Sequence, residues 1–277
     1  RRPRSPFRPL VVPASRYMAL CEMAQLSAIA PPDFAGRVLS MSDHAQAPVP
    51  GPAEDGSMSP SVGLCVIHLF VKPTPMFDAE DLIAAVKQAQ ADGLQVICVS
   101  MLGHKADAAI MALTKDWRLL RKLQTAVQNA GLDVVDSYVS MTEVSEYAAG
   151  MPEAMLAPRL YPQLPPEGKL AWCFYPMSKS RVQDANWFTL PFERRKELMH
   201  EHGTSGRKFA GRIVQLITGS AGVDDFEWGV TLFANRPDDL KEVVYTMRFD
   251  EASAVYAEFG TFYVGTVTEV GELATLL

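Results

Sequence analysis

Residues 61–102 read SVGLCVIHLFVK, PTPMFDAEDLIAAVKQAQADG and LQVICVSML, and these three stretches predict a strand, a helix and a second strand. The first and third stretches are apolar and rich in β-branched residues, which is typical of buried strands. In the middle stretch Asp78 is a candidate N-cap, apolar residues follow at helical spacing, and Gly93 is a candidate helix end. This unit decides the fold class, because similar units continue along the chain.

The predicted elements after residue 102 continue the alternation in two similar halves. We predict a long helix over 105–131, a half-buried strand over 132–144 and a Pro-rich connection without regular structure over 151–168. The second half has predicted strands at 169–177, 211–220, 226–234 and 260–270, and predicted helices at 190–203 and 236–250. Strands outnumber helices and short loops join many of them. We therefore expect an α+β fold in which two ferredoxin-like halves form a dimeric α+β barrel.

The same pattern sets the domain boundaries. We expect an N-terminal extension over 1–58, a first half over 59–150, the connection over 151–168 and a second, ligand-binding half over 169–277. The first 16 residues hold five arginines and no acid, and residues 41–60 are rich in Pro, Ser and Gly. Because neither stretch has apolar periodicity, we interpret 1–58 as a disordered tail or as sequence translated from too far upstream. A targeting peptide is the alternative.

The composition excludes several classes of protein. The chain has 277 residues, is 48% hydrophobic and carries a formal net charge of −6. That mild acidity argues against a nucleic-acid partner, and no apolar run is long enough to predict a transmembrane helix. The cysteines form no CxxC pair, which argues against a zinc ribbon or a disulfide scaffold and favours a reducing, cytoplasmic location. They are Cys21, Cys65, Cys98 and Cys173.

The string FYPMSKSR at 174–181 contains the first candidate site residues. If 169–177 is a strand, Cys173, Tyr175 and Met177 share one face. Tyr175 is then an aromatic residue with a polar tip on an apolar face. Considered alone, it is typical of a core tyrosine whose hydroxyl bonds a backbone carbonyl, and Lys179 is typical of a solvated lysine.

Two further strings, MHEHGTSGRKFAGR at 199–212 and RIVQLITG at 212–219, hold the other candidates. His202 precedes Gly203 at the end of a predicted helix, where the helix dipole alone favours histidine. A ligand role requires a neutral imidazole that faces a cavity. Gln215 lies in a predicted strand whose two faces are both apolar, so we expect it to be buried, either as a satisfied core amide or facing a polar ligand.

Several long strings occur in the order found in one known family. The chain resembles the coproheme decarboxylases, within the chlorite dismutase-like superfamily, in FYPMSK, NWFTLPFERRKELMHEHG, GRKFAG with Gln215, FEWGVTLFA and MRFDEASAVYAEFGTFYVG. The resemblance runs over residues 61–270 and is densest over 174–265. It implies a ferredoxin-like repeat that forms an α+β barrel in each subunit, and assembly as a homopentamer.

The resemblance also implies a role for each candidate residue. His202 matches the axial iron ligand, Tyr175 the tyrosine that forms the catalytic radical, and Lys179 the lysine beside the reacting propionate. Gln215 matches the distal glutamine of Firmicutes-type enzymes, a position at which chlorite dismutases carry an arginine. The remaining matches handle propionates or line the pocket: Arg159, Arg207, Met177 and Ser253.

The implied reaction is the oxidative decarboxylation of two propionates of iron-coproporphyrin III (coproheme) to vinyl groups by hydrogen peroxide, which gives haem b. The implied setting is the coproporphyrin-dependent haem pathway, with a transient contact to the upstream ferrochelatase and without nucleic acid or membrane. Two alternatives stay open. One is a chlorite dismutase-like or peroxide-consuming haem protein, and the other is a non-catalytic haem-binding module.

Overall fold

The computed structural model describes Gly56, residues 58–148 and residues 150–277. The predicted N-terminal extension lies outside the described residues, apart from Gly56 and Met58. The described strands are β1 Cys65–Pro73, β2 Gln95–Met101, β3 Ala108–Thr114, β4 Leu132–Thr142, β5 Ala171–Lys179, β6 Arg181–Val182, β7 Ala185–Asn186, β8 Ile213–Gly219, β9 Trp228–Ala234, β10 Ala257–Phe259 and β11 Tyr263–Val267. The described helices are α1 Ala79–Ala91, α2 Trp117–Asn129, α3 Glu153–Leu160, α4 Phe192–Arg207, α5 Pro237–Met247, α6 Glu251–Ala254 and α7 Val270–Leu276, with 3₁₀ turns at Glu146–Ala148 and Trp187–Thr189.

Eight of these strands close into an antiparallel barrel. Their order is β5-β11-β2-β3-β1-β4-β8-β9, and β9 pairs again with β5. β10 extends the pairing of β5, whereas β6 and β7 form a separate hairpin. The sets β2-β3-β1-β4 and β8-β9-β5-β11 repeat one spatial order. Helices connect β1 to β2 and β3 to β4 in the first set, and β5 to β8 and β9 to β11 in the second, which is the ferredoxin-like arrangement. The prediction of an α+β barrel built from two ferredoxin-like halves is therefore confirmed.

Side chains that alternate along these strands fill the barrel interior from both halves. Phe70 and Met111 come from the first half, and Trp172 and Phe233 come from the second. His68 of β1 is also buried here, where its ring stacks on Phe174 with centroids 4.1 Å apart and its Nε2 lies 3.0 Å from Thr231 Oγ1. The interior is thus a single core that belongs to neither half alone.

The two halves are joined by short seams of strand pairing. Strand β4 pairs with β8 only at Met141–Gly219 and Thr142–Thr218 in the described register. Strand β11 pairs with β2 at three positions, Gly265–Met101, Thr266–Ser100 and Val267–Val99. Backbone hydrogen bonding between the halves is therefore limited, and the shared interior and the packing of α7 against α1 also join them.

Helix α1 begins as its sequence predicts. Asp78 Oδ1 accepts hydrogen bonds from the backbone amides of Glu80 at 2.9 Å and Asp81 at 3.1 Å, which makes Asp78 the N-cap. The apolar stripe of the helix is buried together with residues of α2 and α7 on the outside of the first half. After the helix, Gly93 has φ +90°, a conformation that glycine adopts far more easily than other residues.

The prediction of one helix over 105–131 is wrong in its first part. Ala108–Thr114 form strand β3, and helix α2 begins only at Trp117, which is 38% exposed. Strand β3 lies between β1 and β2, and all seven of its residues are buried. A strand that is buried on both faces has a continuous apolar sequence, so AAIMALT lacks the alternation that distinguishes a strand from a helix.

Three other predicted boundaries also differ from the structure. The Pro-rich connection contains helix α3, and the predicted strand over 260–270 is replaced by β11 and the start of α7. Helix α4 continues beyond Gly203 to Arg207, and Gly206 lies close to α5, since a Cβ there would be 3.6 Å from Met247 Cε. None of the helices in the described ranges has the length and apolar character needed to cross a bilayer.

Candidate functional site

Strand β5 presents three of the predicted site residues on one face. Tyr175, Met177 and Lys179 alternate along the strand with Phe174 and Pro176, and Phe174 belongs to the barrel interior. The first two lie on the outer face of the second half, in contact with a cluster that includes residues of α5. Period-two alternation thus places a phenol, a thioether and an amine in a row on the outside of the barrel.

Tyr175 is buried among aromatic rings. Its ring stacks on Phe262 with centroids 4.4 Å apart and meets Phe259 edge-on at 5.6 Å. Its hydroxyl bonds no other group in the described part of the chain, so the interpretation of a core tyrosine tied to a backbone carbonyl does not apply. Burial raises the pKa of Tyr175 above its ordinary value, which keeps the phenol protonated.

Lys179 is buried, unlike the solvated lysine that its sequence context suggests. Its Nζ donates to the backbone carbonyl of Ala252 at 2.5 Å and lies 4.5 Å from the centroid of the Trp187 ring. A carboxylate oxygen of Glu227 accepts the backbone N–H of Lys179 at 2.9 Å. Burial lowers the pKa of Lys179 to about 8, although the charge of Glu227 opposes this shift.

Helix α4 brings His202 into the same region. Leu198, His202 and Ser205 are spaced by four and three residues and so share one stripe of the helix, in which Leu198 and Ser205 are buried. His202 Nδ1 lies 3.3 Å from Asp250 Oδ2 and 3.4 Å from Ser253 Oγ. Ser205 Oγ donates to Asp250 Oδ1 at 2.7 Å, so the carboxylate is held while it faces the imidazole.

These contacts leave His202 Nε2 for a ligand, because no other described residue bonds it. Burial and the positive charge of Lys179 lower the pKa of His202, and the charge of Asp250 acts in the opposite direction. A neutral imidazole oriented through Nδ1 is the form in which proteins present histidine to metals. The described ranges contain no cluster of three or more candidate ligand side chains. A single histidine presented in this way can hold a metal whose other ligands come from a bound cofactor.

Gln215 lies on the same face of the sheet, but the prediction that it is buried is wrong. In the strand register it is opposite Leu232 of β9, which in turn is opposite Cys173 of β5. Gln215 is therefore two strands, or about 10 Å, from β5. Its side chain is exposed, whereas Leu216 and Thr218 on the inner face are buried. On the outer face of β8 only Ile213 packs against a core, whereas Gln215 and Ile217 are exposed, and the apolar residues of this face concealed the difference.

The structure does not bring every predicted residue to this region. Arg159 is exposed on α3 and donates to the carbonyl of Met155 in its own helix. Arg207 is exposed at the end of α4 and donates to Thr204 Oγ1 at 2.6 Å. No contact in the described part of the chain joins either arginine to Tyr175. The residues that do come together are Tyr175, Met177, Lys179, His202 and Ser253, with Gln215 on the same face.

Two residues of this region were missed by the sequence reasoning. Asp250 directly precedes α6, a position where an aspartate is normally taken for an N-cap, yet its side chain makes no cap bond and faces His202. Trp187, considered alone, is typical of an ordinary core residue. Both lie in strings that carried the family resemblance, FDEAS and NWFTL, and membership in those strings was the available signal.

Comparison with known proteins agrees with this architecture. The family model described as chlorite dismutase matches residues 77–268. The chain is 43% identical over 189 residues to a coproheme decarboxylase of Staphylococcus saprophyticus, which covers 64% of this chain and 74% of that relative. The chain is also 43% identical to a candidate haem-binding protein of Natronomonas pharaonis. That match covers 194 residues, which are 64% of this chain and 32% of the larger relative. A solved haem-binding protein from Thermus thermophilus superposes with a TM-score of 0.71 at 33% identity, covering 78% of this chain and 95% of that one. The chain therefore belongs to the chlorite dismutase family.

Proposed function

We propose that this protein is a coproheme decarboxylase, which uses hydrogen peroxide to convert two propionates of iron-coproporphyrin III to vinyl groups and so forms haem b. The observation that carries the proposal is the combination of a buried phenol and a buried amine on β5, Tyr175 and Lys179, with a histidine held through its Nδ1, His202. The 43% identity to a relative named for this reaction supports the same conclusion.

In this proposal His202 Nε2 binds the iron of the substrate, and the iron porphyrin supplies the redox chemistry with peroxide. Asp250 and Ser253 orient the imidazole through Nδ1, and Ser205 fixes the carboxylate of Asp250. A carboxylate beside the second ring nitrogen makes a histidine a stronger electron donor to its metal. The protein thereby sets both the direction and the basicity of its ligand.

Tyr175 is the residue that moves hydrogen. Because its pKa is raised and its hydroxyl has no protein partner in the described ranges, the phenol keeps its O–H until it gives up a proton and an electron together. The resulting phenoxyl takes a hydrogen atom from the β-carbon of a propionate. The carbon radical then loses CO₂ and one more electron, for which the peroxide is the final acceptor, and a vinyl group remains. Each propionate consumes one hydrogen peroxide and one proton and yields one CO₂ and two water molecules, so both propionates require two rounds.

Lys179 holds the carboxylate of the reacting propionate. With its pKa at about 8, the amine is mostly protonated at neutral pH, and a buried ammonium group attracts a carboxylate strongly. Holding the propionate near Tyr175 shortens the path for the hydrogen atom. We expect Lys179→Ala to slow decarboxylation while Tyr175 can still be oxidised, because the variant loosens the propionate and leaves the phenol in place.

The other predicted residues have supporting roles in this proposal. The exposed amide of Gln215 can donate a hydrogen bond to peroxide, but an amide cannot act as a strong base. Met177 lies beside Tyr175 and Ser253 beside His202, where both would contact the porphyrin. Arg159 and Arg207 have exposed guanidinium groups, which suit the carboxylates of the two propionates that do not react.

The same proposal includes a homopentamer in the cytoplasm that makes a transient contact with the ferrochelatase that supplies coproheme. Exposed aromatic residues support an interface, since Tyr245 and Phe249 are 58% and 71% exposed. Buried free thiols at Cys65, Cys98 and Cys173 support a reducing compartment.

The deciding experiment mixes the purified protein with iron-coproporphyrin III and follows the porphyrin mass during a hydrogen peroxide titration. Two successive losses that end at the mass of haem b are the expected result. In a parallel sample that receives chlorite in place of peroxide, consumption of chlorite with release of oxygen would instead support a chlorite dismutase-like activity. A porphyrin that binds but keeps its mass would support a non-catalytic haem-binding module.

A further inference from the structure

Lys179 is a buried cation whose amine has no acidic partner among the described residues. The carboxylate of Glu227 accepts the backbone N–H of Lys179 and the guanidinium of Arg181 instead. A buried ammonium group without an anion is costly, and a flexible lysine would ordinarily swing its amine into solvent. Something in the structure must therefore retain the amine inside.

The two contacts of the amine identify what retains it. The Ala252 carbonyl accepts one of its three N–H groups at 2.5 Å, and the face of Trp187 lies 4.5 Å from Nζ. A tryptophan ring is the aromatic group that attracts a cation most strongly, especially where water is excluded. At least one N–H is then left to point toward an incoming carboxylate.

Trp187 is itself held in place by its surroundings. Its ring is buried and meets the ring of Tyr256 edge-on at 5.3 Å, in a cluster that includes Leu198 of α4. Its backbone N–H donates to the carbonyl of Ser180 at 2.9 Å, so the residue following Lys179 is bonded directly to Trp187. The chain leaves β5, turns through the β6–β7 hairpin and returns Trp187 to the amine.

We infer that Trp187 is a positioning residue, whose ring and the Ala252 carbonyl together keep the Lys179 amine buried before any anionic substrate binds. The purpose of these two contacts rests on the proposed function, in which Lys179 receives a propionate carboxylate. The Trp187 ring and the Ala252 carbonyl keep the ammonium group desolvated and correctly placed, so an incoming carboxylate does not have to draw it in from solvent.

The test measures how fast Lys179 is acetylated by N-hydroxysulfosuccinimide acetate in the ligand-free protein, with exposed Lys87 of α1 as the internal reference and peptide mass spectrometry as the readout. In the wild type we expect Lys179 to react much more slowly than Lys87. Trp187→Leu should raise the rate at Lys179 relative to Lys87 by about tenfold or more, since losing a desolvated cation–π contact releases the amine. Trp187→Phe keeps a weaker ring and should give an intermediate rate.

Leu198→Ala is the matched control, because it loosens the same buried cluster without removing a contact of the amine. An equal rise in that variant would overturn the inference, since general loosening would then explain the result. An unchanged rate in Trp187→Phe would overturn it too, and that variant remains informative if Trp187→Leu fails to fold.

A second labelling series adds iron-free coproporphyrin III. Further protection of Lys179 in the wild type is expected if the amine meets a substrate carboxylate. Absence of this protection, combined with release of the amine in Trp187→Leu, would count against the proposed substrate while leaving the role of Trp187 intact. The two failures are therefore distinguishable.

Discussion

Asp250 determines how His202 is held, because one of its oxygens faces Nδ1 at 3.3 Å and the other accepts from Ser205. We predict that Asp250→Asn, which keeps the shape and removes the charge, weakens binding of iron-coproporphyrin III by about 10- to 100-fold. It should also raise the reduction potential of the bound iron, since a less basic imidazole donates less charge. Spectroscopic titration and redox potentiometry measure these effects. Ser253→Ala should have a smaller effect on both, and equal effects would argue against a special role for the carboxylate.

Tyr175→Phe tests the hydrogen-transfer role directly. The hydroxyl has no partner among the described residues, so its removal should change the free energy of unfolding by less than about 1 kcal/mol. Formation of haem b should nevertheless stop, because phenylalanine has no O–H to oxidise. Chemical denaturation and porphyrin masses give the two readouts.

Tyr263→Phe is the control for that variant. Tyr263 donates a hydrogen bond to Asp136 from the neighbouring strand β11 and belongs to the interior cluster. This variant should lose about 1 kcal/mol of stability and keep its turnover, the reverse of the Tyr175 result. If Tyr175→Phe forms haem b at the wild-type rate, the radical role is wrong.

The sequence predicted some site residues well and others poorly, for identifiable reasons. Period-two alternation was sufficient to put Tyr175 and Met177 on one face of β5. Contact of His202 with Asp250 and Ser253 joins α4 to residues about 50 positions later, and no local pattern encodes such an approach. The roles of His202, Tyr175 and Lys179 came from family resemblance, and they stay predictions until the variants are measured.

Secondary-structure elements were predictable where the sequence distinguishes their two sides. Helix α1 has a capping aspartate, an apolar stripe and a terminating glycine, and its predicted start is confirmed. Strand β3 is buried on both sides and was merged with α2, because tertiary position rather than local pattern makes it a strand. Strand β1 is also buried on both faces, but its β-branched residues identify it as a strand.

The N-cap of α1 provides a prediction at this scale. Asp78→Ala should lower the free energy of unfolding by about 1 kcal/mol, because two backbone amides lose their acceptor. Urea denaturation followed by circular dichroism measures the change. Glu80→Ala removes a negative charge from the same first turn without removing the cap, so it should cost only a few tenths of that value. Equal losses would mean that helix-dipole electrostatics, and not capping, stabilises this end.

The stability of the whole molecule depends on pH through a histidine buried in its core. Burial lowers the pKa of His68 to about 3, so the folded protein keeps this imidazole neutral while the unfolded chain protonates it below about pH 6.5. The unfolded state therefore binds more protons in this window, and stability falls as the pH falls. His68 alone should cost about 2 kcal/mol between about pH 7 and about pH 5.

Comparison with His68→Phe isolates this contribution from those of other groups. The variant retains a ring that can stack on Phe174 and has no titratable nitrogen. Its loss of stability over the same pH interval should be about 2 kcal/mol smaller than that of the wild type, as measured by urea denaturation at each pH. Parallel curves for the two proteins would show that His68 does not contribute.

The shared interior of the barrel has a consequence for cutting the chain. A break within the connection over 151–168 would leave two fragments, each carrying one wall of a core that includes Phe70 on one side and Trp172 and Phe233 on the other. Each fragment made alone would expose that wall and the unpaired backbone of its seam strands, and would aggregate. Made together in one cell, the fragments should associate and restore the barrel, so the protein can be divided as a polypeptide but not as a folding unit.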